Sequence, residues 1–220
     1  MEIKNTIEIE KVAEFISGKI LNKLENNIKV LWFVTGGSGI EVASKVSQII
    51  TKRPHANLTI MLTDERYGDV DSAQSNWHQL LELGFVLPEA KLIPILNNKN
   101  RKDTTIEFQE NLEKYLNSTV YKIGLFGVGA DGHTAGILPE SEATNSTNLA
   151  YEYDTPQFER ITMTPRAIKM LDEIIVFMKG EAKWIVVNDL LNKEIDIKKQ
   201  PAQILKQIPL LTIFTDYQNK

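Results

Sequence analysis

Residues 30–39 read VLWFVTGGSG, and this stretch decides the fold class. The five apolar residues at 30–34 show no polar alternation, which predicts a short strand that is buried on both faces. Residues 35–39 predict a tight glycine-rich turn, and the apolar spacing of residues 40–50 predicts a helix. A buried strand that leads through a tight turn into a helix is typical of a parallel sheet in an α/β protein.

Apolar strands and amphipathic helices alternate along the rest of the chain as well. Further helices are predicted at 7–24, 75–83, around 108–115 and at 182–191, and further strands at 58–62, 92–96, 122–128, 161–164, 174–178 and 210–214. No internal repeat and no domain-separating linker interrupts this pattern. We therefore predict one domain over residues 1–220, an α/β fold whose mostly parallel central sheet has helices on each side.

The composition excludes several classes of function. The 220 residues include no cysteine, which rules out thiol nucleophiles, disulfides and thiolate zinc sites. With 25 basic and 29 acidic residues the net charge is −4, which argues against a nucleic-acid or membrane binder. The acidic N-terminus is unlike a secretory signal, and no stretch reaches the ~18 apolar residues of a membrane span. The three histidines lack paired ligand spacing, so no metal site is predicted, and His55 is expected at the surface.

Three predicted strand ends carry unusual residues, and ligands bind beyond the carboxyl ends of strands in open α/β sheets. The first loop is Thr35-Gly36-Gly37-Ser38-Gly39, directly before a helix. Glycines let the backbone approach an anion, and a helix N-terminus offers free N–H groups. The segment matches neither a Walker loop nor a dinucleotide fingerprint. It is either a phosphate-binding loop or a tight turn without a ligand.

The second loop is Thr63-Asp64-Glu65-Arg66-Tyr67, and Ser75-Asn76 follows shortly afterwards. Two carboxylates beside an arginine at a strand end are costly to hold together unless they pair or meet a ligand. Their carboxylates could bind sugar hydroxyls or move protons. The alternative is a solvated turn with surface ion pairs.

The third loop, residues 127–134, reads GVGADGHT and surrounds a histidine with glycines just past a buried strand. His133 is the side chain best matched to proton transfer near neutral pH. Asp131 could hold one ring nitrogen while the other faces a substrate. No G-x-S-x-G motif accompanies them, which favours a nucleophilic water over a covalent intermediate. The alternative is a structural loop histidine.

Two cations stand at the starts of later elements. Arg160 begins a predicted strand, and Lys183 follows Gly180 where the last long helix begins. A lone Arg or Lys usually lies on the surface. A bound phosphate would nevertheless require such groups, because charge-assisted hydrogen bonds are the strong ones.

Taken together, five segments resemble the 6-phosphogluconolactonase family, within the wider group that includes the glucosamine-6-phosphate deaminases. The segments are Gly36-Gly37-Ser38, Asp64-Glu65-Arg66-Tyr67 with Ser75-Asn76, residues 127–135, Arg160-Ile161-Thr162-Met163-Thr164, and Gly180 with Lys183. Each is weak alone, but all five occur in the family's order. The resemblance implies a three-layer α/β/α sandwich with a Rossmann-like sheet.

The resemblance also implies a role for each candidate residue. Gly37, Ser38, Arg160 and Lys183 would bind the substrate phosphate, with Gly36, Asn76 and Gly129 as further substrate contacts. His133 would activate water and Asp131 would orient it. Asp64, Glu65 and Arg66 would line the sugar side, and Arg66 or a loop N–H would stabilise the oxyanion.

The implied activity is hydrolysis of 6-phospho-D-glucono-1,5-lactone to 6-phosphogluconate in the pentose phosphate pathway. The resemblance implies a cytoplasmic monomer or homodimer that uses no metal and no organic cofactor, with a small sugar phosphate as its partner. Two alternatives remain. One is a glucosamine-6-phosphate deaminase-like isomerase, although residues 133–139 lack the glutamate of those relatives and Glu140 is out of register. The other is a non-catalytic sugar-phosphate-binding protein.

Overall fold

The computed structural model describes residues 1–218 as alternating strands and helices. The strands are β1 (Glu2–Lys4), β2 (Val30–Val34), β3 (Leu58–Leu62), β4 (Asp64–Arg66), β5 (Lys91–Ile93), β6 (Tyr121–Gly127), β7 (Ala150–Asp154), β8 (Glu159–Met163), β9 (Glu173–Met178) and β10 (Leu210–Thr215). The α-helices are α1 (Ile9–Glu25), α2 (Gly39–Ile50), α3 (Asn76–Glu82), α4 (Arg101–Ser118), α5 (Pro165–Ile168) and α6 (Trp184–Asn192). Short 3-10 helices span Glu142–Asn145, Glu181–Lys183 and Pro201–Gln207.

Seven strands form one parallel sheet in the order β1-β10-β9-β6-β2-β3-β5. Every residue of β2 and β9 is buried, which explains why these strands read as continuous apolar runs. Helices flank the sheet, so the predicted α/β sandwich with a parallel sheet is confirmed. The strand predicted at 92–96 corresponds to β5, which ends directly before Pro94 and lies at the edge of the sheet.

The order of the strands reverses between β2 and β6. From β2 the chain moves outward through β3 to β5, then returns to β6 on the other side of β2 and moves outward through β9 to β10. Such a topological switch point leaves a crevice at the carboxyl ends of the two central strands. The first loop follows β2 and the third loop follows β6, so the topology brings both loops to this crevice.

A second, antiparallel sheet in the order β4-β8-β7 stands beside the main one. The prediction that residues 63–67 form a loop was wrong for three of them, because Asp64–Arg66 form β4 and pair with β8. β7 and β1 were not predicted, since their short segments carry too few apolar residues to show a period. The predicted strand at 161–164 exists, but it belongs to this smaller sheet.

The apolar core passes through both sheets. One continuous cluster joins the fully buried side chains of the parallel strands, such as Trp32, Phe33 and Phe126, to Ile161 and Met163 of β8. The small sheet is therefore packed onto the same core as the large one, which gives the residues on β4 and β8 a rigid support. No helix within residues 1–218 is long and apolar enough to cross a membrane.

Candidate active site

A cavity of about 300 Å³ lies at the topological switch point, and we call it the strand-end cavity. Its walls are Thr35, Gly36, Gly37, Ser38, Asp64, Arg66, Asn76, Gly127, Val128, Gly129, His133, Ala135, Gly136, Arg160 and Lys183. The structure thus brings all three loops and both later cations together. Of the predicted site residues, only Asp131 and Glu65 do not line it.

The first loop turns sharply between β2 and α2. Gly37 has a φ of +61°, a conformation that favours glycine, and Ser38 precedes the first residue of α2 without capping it by its side chain. A Cβ on Gly36 would overlap the amide of Asn76, so the turn can pack against that side chain only with glycine. Ser38 and the N-terminus of α2 therefore both lie at the cavity wall.

Asn76 is buried beside the first loop. Its Nδ2 donates to the carbonyl of Asp64 at 3.0 Å, which orients the amide, and its Oδ1 has no hydrogen-bond partner among residues 1–218. The same residue lines the strand-end cavity. The amide oxygen itself is buried and lies against Gly36, so Asn76 supports the first loop from within the cavity wall.

His133 and Asp131 form a hydrogen-bonded pair. Asp131 Oδ1 lies 2.6 Å from His133 Nδ1 and also accepts from the backbone N–H of His133 at 3.1 Å. Burial acts to raise the pKa of Asp131, but the hydrogen bonds and the charge interaction with His133 outweigh it and hold that pKa below its ordinary value. Because a carboxylate only accepts, Nδ1 of the neutral ring carries the proton and Nε2 keeps a free lone pair.

Gly129 fits against the ring of His133. A Cβ at this position would overlap the ring atoms Cε1 and Nδ1 as well as the Asp131 carboxylate. The backbone closes the same turn, because Gly129 N–H donates to the carbonyl of His133 at 3.0 Å and Gly132 N–H donates to Gly129 at 3.1 Å. The glycine at 129 is therefore a condition for the geometry of the histidine–aspartate pair.

Three cations and one carboxylate line the strand-end cavity. Arg66 on β4 and Arg160 on β8 are direct partners in the antiparallel ladder. Arg160 Nη1 binds Asp64 Oδ2 at 3.0 Å, and both side chains are largely buried. Lys183 forms no ion pair within residues 1–218, and burial lowers its pKa. With both arginines and the lysine protonated and Asp64 ionised, the lining carries an excess of positive charge that suits an anion.

Glu65 is not where the resemblance placed it. It is fully buried behind the cavity wall, where its carboxylate accepts from the N–H groups of Asn76 at 2.7 Å and Trp77 at 3.0 Å and from the Ser75 hydroxyl at 2.9 Å. Burial raises the pKa of Glu65, against the effect of these donors. Side chains alternate along a strand, so Glu65 points away from the cavity that Asp64 and Arg66 line.

Several lining residues were not predicted from the sequence. Gly136 has a φ of +74°, and a Cβ there would overlap Asp64, so it lets the third loop close over the second. Ala135 also has a positive φ of +50°, and its carbonyl accepts from the Thr162 hydroxyl. The signal for Gly136 was visible as an extra glycine after the histidine motif. Nothing in the sequence indicated which residue it would face.

The remaining histidines lie outside the strand-end cavity. His55, predicted at the surface, is buried, because its ring bridges the carbonyl of Arg53 at 2.7 Å and the N–H of Glu89 at 3.2 Å. His78 is partly exposed, and its Nε2 lies 3.8 Å from Glu82 Oε1. No group of histidines and carboxylates suited to a metal occurs in the part of the chain that the structure describes.

Two larger surface depressions lie near β7, with volumes of about 530 and 590 Å³. Their walls include the carboxylates Glu140, Glu142, Glu152 and Asp154 in one, and Glu110, Glu113 and Glu152 in the other. Neither wall contains a histidine, and an anion would be repelled by this charge. The smaller strand-end cavity is therefore the candidate active site.

A sequence profile described as "Glucosamine-6-phosphate isomerases/6-phosphogluconolactonase" matches residues 5–212. The chain belongs to this family. A curated relative, the 6-phosphogluconolactonase of Thermotoga maritima, is 30% identical over 215 residues, which cover 94% of this chain and 88% of the relative. The resemblance drawn from the five segments is thereby confirmed.

Solved structures of the glucosamine-6-phosphate isomerase/6-phosphogluconolactonase family share the fold. A 6-phosphogluconolactonase from Thermotoga maritima superposes with a TM-score of 0.83 at 22% identity and covers 97% of both chains. A monomeric glucosamine-6-phosphate deaminase superposes with a TM-score of 0.80 at 16% identity and covers 98% of this chain and 97% of its own. Because both activities occur on this fold, the choice between them depends on the residues of the site.

Proposed function

We propose that this chain hydrolyses 6-phospho-D-glucono-1,5-lactone to 6-phosphogluconate, a step of the pentose phosphate pathway. It would act in the cytoplasm as one domain, a monomer or homodimer, with neither a metal nor an organic cofactor. Family membership and a 30% identical relative that carries this name support the proposal. The observation that carries it is the His133–Asp131 pair, whose free Nε2 shares a cavity with three cations.

In the proposed reaction, His133 Nε2 takes a proton from a water molecule while the water oxygen attacks the lactone carbonyl carbon. The tetrahedral intermediate then collapses, and the bond between the carbonyl carbon and the ring oxygen breaks. The imidazolium returns its proton to that ring oxygen, which becomes a hydroxyl. Asp131 keeps the ring oriented and stabilises the imidazolium, as the aspartate does in a catalytic triad.

The charge of the strand-end cavity supports a phosphorylated substrate. Arg160 is partly neutralised by Asp64, whereas Arg66 and Lys183 have no carboxylate partner within residues 1–218. A phosphate dianion would compensate these charges and would accept N–H groups from the first loop at the N-terminus of α2. We assign the phosphate to Gly36, Gly37 and Ser38 with Lys183 and with Arg160, whose charge Asp64 compensates only in part. Arg66 lies in the same cavity and is a candidate for stabilising the oxyanion.

The developing oxyanion requires a donor beside His133. Arg66 uses one nitrogen, Nη1, to bind the carbonyl of Gln74 at 2.8 Å, and its buried Nε has no partner within residues 1–218. The Arg66 side chain also lines the strand-end cavity. Arg66 and a backbone N–H of the third loop are both candidates for the oxyanion donor. Gly129 helps to determine the conformation of that loop.

The site favours lactone hydrolysis over deamination. Glu140, the first acidic residue after His133, is exposed and lines the neighbouring acidic depression. Its Oε2 lies 3.6 Å from Lys198 Nζ. Within the described part of the chain, the strand-end cavity contains Asp64 as its single carboxylate, and Asp64 is already paired with Arg160. No second acid is therefore in place to assist ring opening of an amino sugar.

Replacing His133 with alanine tests the proposal. Hydrolysis of freshly prepared 6-phosphoglucono-δ-lactone, corrected for the spontaneous rate, should fall by about 10²- to 10⁴-fold, the usual contribution of a positioned base. Glucosamine 6-phosphate should not be turned over by either form. His78→Ala is the matched control, because this histidine is partly exposed outside the cavity, and it should keep wild-type activity. Full activity in the His133→Ala variant would refute the assignment of the base.

A non-catalytic sugar-phosphate binder would behave differently. It would bind 6-phosphogluconate in a calorimeter but would leave the lactone to decay at its spontaneous rate. Turnover by the wild-type chain excludes that alternative, and binding without turnover would establish it.

A further inference from the structure

Arg66 and Arg160 stand directly opposite each other in the ladder between β4 and β8. Like charges at opposed positions of an antiparallel pair destabilise the sheet. The Asp64 carboxylate compensates Arg160 at 3.0 Å, but Arg66 has no carboxylate partner within residues 1–218. Both arginines line the strand-end cavity, so without a bound anion the repulsion between them must be offset by other groups of the protein.

The ring of Phe158 lies against both arginines. The guanidinium carbon of Arg66 is 5.4 Å from the ring centroid, and that of Arg160 is 5.7 Å from it. These distances are within the range of cation–π attraction, in which the negative potential of the ring face stabilises a nearby cation. One aromatic ring therefore stabilises two like charges that the strand register forces to face each other.

Phe158 is held in place by a tight turn between β7 and β8. The backbone N–H of Thr155 donates to the carbonyl of Phe158 at 2.8 Å, and the N–H of Phe158 donates to the Thr155 hydroxyl at 3.0 Å. Phe158 does not line the cavity itself. It can therefore act on a ligand only through the arginines, which it contacts from behind.

We propose that Phe158 is a positioning residue that holds the guanidinium groups of Arg66 and Arg160 toward the anion in the strand-end cavity. This inference rests on the proposed function, since it assumes that these arginines contact a phosphorylated substrate. Without the ring, the two side chains separate to relieve their repulsion, and their ordering becomes a cost of substrate binding. The loss then appears mainly in affinity rather than in the chemical step.

Phe158→Leu is the informative variant, because leucine keeps apolar bulk but has no negative ring face. The KM for 6-phosphoglucono-δ-lactone and the calorimetric Kd for 6-phosphogluconate should both rise by about fivefold to thirtyfold. The kcat should fall by less than the affinity does, since His133 and Asp131 are untouched and Arg66 is only one of two candidate oxyanion donors. Phe158→Trp should restore wild-type values, because it restores a ring face.

Gln157→Ala is the matched control from the same turn, because the Gln157 side chain is exposed. It should bind 6-phosphogluconate as the wild type does. Thermal unfolding of Phe158→Leu and Phe158→Trp should differ little, which separates positioning from a loss of folding. A combined Phe158→Leu and Arg66→Lys variant should show less than the product of the two single effects.

The two proposals fail in different ways. If the wild type and Phe158→Leu bind 6-phosphogluconate equally while the wild type turns over the lactone, the role of Phe158 is refuted and the proposed function stands. If Phe158→Trp fails to restore binding, the aromatic face is not the cause, and the positioning role is also refuted. If the wild type neither binds the product nor turns over the lactone, both proposals are refuted.

Discussion

Only a glycine at position 129 leaves enough room for the imidazole ring of His133. Because a Cβ here would overlap the imidazole and the Asp131 carboxylate, Gly129→Ala should push the ring aside. A displacement of ~1 Å can cost up to ~10²-fold in rate, so the kcat for the phosphorylated lactone should fall by roughly 10- to 100-fold with little change in KM. Steady-state kinetics measure this.

Gly68→Ala is the appropriate control for the Gly129 variant, since a Cβ on Gly68 would meet nothing within 4 Å. This variant should retain wild-type kinetics. A Gly129→Ala variant with an unchanged kcat would show that the ring does not need its present position.

Lys183 should make phosphate binding depend on pH. Burial lowers the pKa of its ammonium, so the group loses its proton at a lower pH than an ordinary lysine with a pKa of about 10.4. The affinity for 6-phosphogluconate should therefore decrease as pH rises through this lowered pKa. In Lys183→Arg the guanidinium stays protonated, and this decrease should be absent. Calorimetric titrations at increasing pH check the difference, and parallel profiles would contradict it.

The third loop depends on an element that lies far from it in the chain. Tyr153 on β7 donates its hydroxyl to the carbonyl of Gly136 at 2.5 Å and accepts from the N–H of Leu138 at 3.1 Å. The segment after His133 is thus hydrogen-bonded to the smaller sheet at two points, Gly136 and Leu138. Because Gly136 packs against Asp64, this connection also fixes the distance between the third loop and the arginines.

Tyr153→Phe should release this segment. Two buried backbone groups lose their partner, which should lower the free energy of unfolding by about 1–3 kcal/mol and reduce kcat/KM by roughly tenfold. Tyr151→Phe is the matched control on the same strand, since the Tyr151 hydroxyl binds Glu142 in an exposed position. It should leave both quantities close to wild type. Denaturant unfolding and kinetics on the two variants would contradict the prediction if they gave equal results.

At the scale of the whole molecule, the carboxyl ends of the parallel strands form the candidate active site, whereas the amino ends carry a cluster that we expect to contribute to stability. The carboxyl ends carry the strand-end cavity. At the amino ends, Tyr121 of β6 donates to the buried Glu173 of β9 at 2.5 Å, and Lys19 of α1 binds the same carboxylate at 3.1 Å. This cluster connects α1 with two central strands without any contact with the cavity, so it should affect stability alone.

Tyr121→Phe tests whether the cluster at the amino ends affects stability without affecting activity. Burial, followed by the hydrogen bond to Glu173, raises the pKa of Tyr121 well above its ordinary value. Above pH ~10 an unfolded tyrosine loses its proton while the folded one keeps it, so the wild type should lose stability as pH rises past this point. The variant should lack this part of the loss and should be about 1–2 kcal/mol less stable at neutral pH.

Urea unfolding at neutral and alkaline pH measures both effects of Tyr121→Phe, and kcat/KM at neutral pH should remain unchanged. A loss of activity would show that the amino ends of the strands influence the site after all.

Much of the architecture follows from local chemistry. The apolar runs at 30–34 and 174–178, and the run at 58–62 that only Thr59 interrupts, were predictable as strands because a parallel strand in the sheet interior buries both of its faces. β4 was not predicted as a strand because three residues are too few to show a period and all three are charged. The positions of the three loops were predictable for a related reason, since parallel strands carry their carboxyl ends to one edge.

The sequence by itself determined the parallel α/β class, the family, and the meeting of the glycine loop with His133, because each depends on patterns within a few consecutive residues or on a general rule of topology. Only the tertiary structure decided that Glu65 faces inward, that Asp64 pairs with Arg160, that the ring of Phe158 contacts both arginines, and that Tyr153 binds the segment after His133. The physical reason is the register of the small antiparallel sheet, which sets the direction of each side chain and brings Asp64 to Arg160, 96 positions away in the chain.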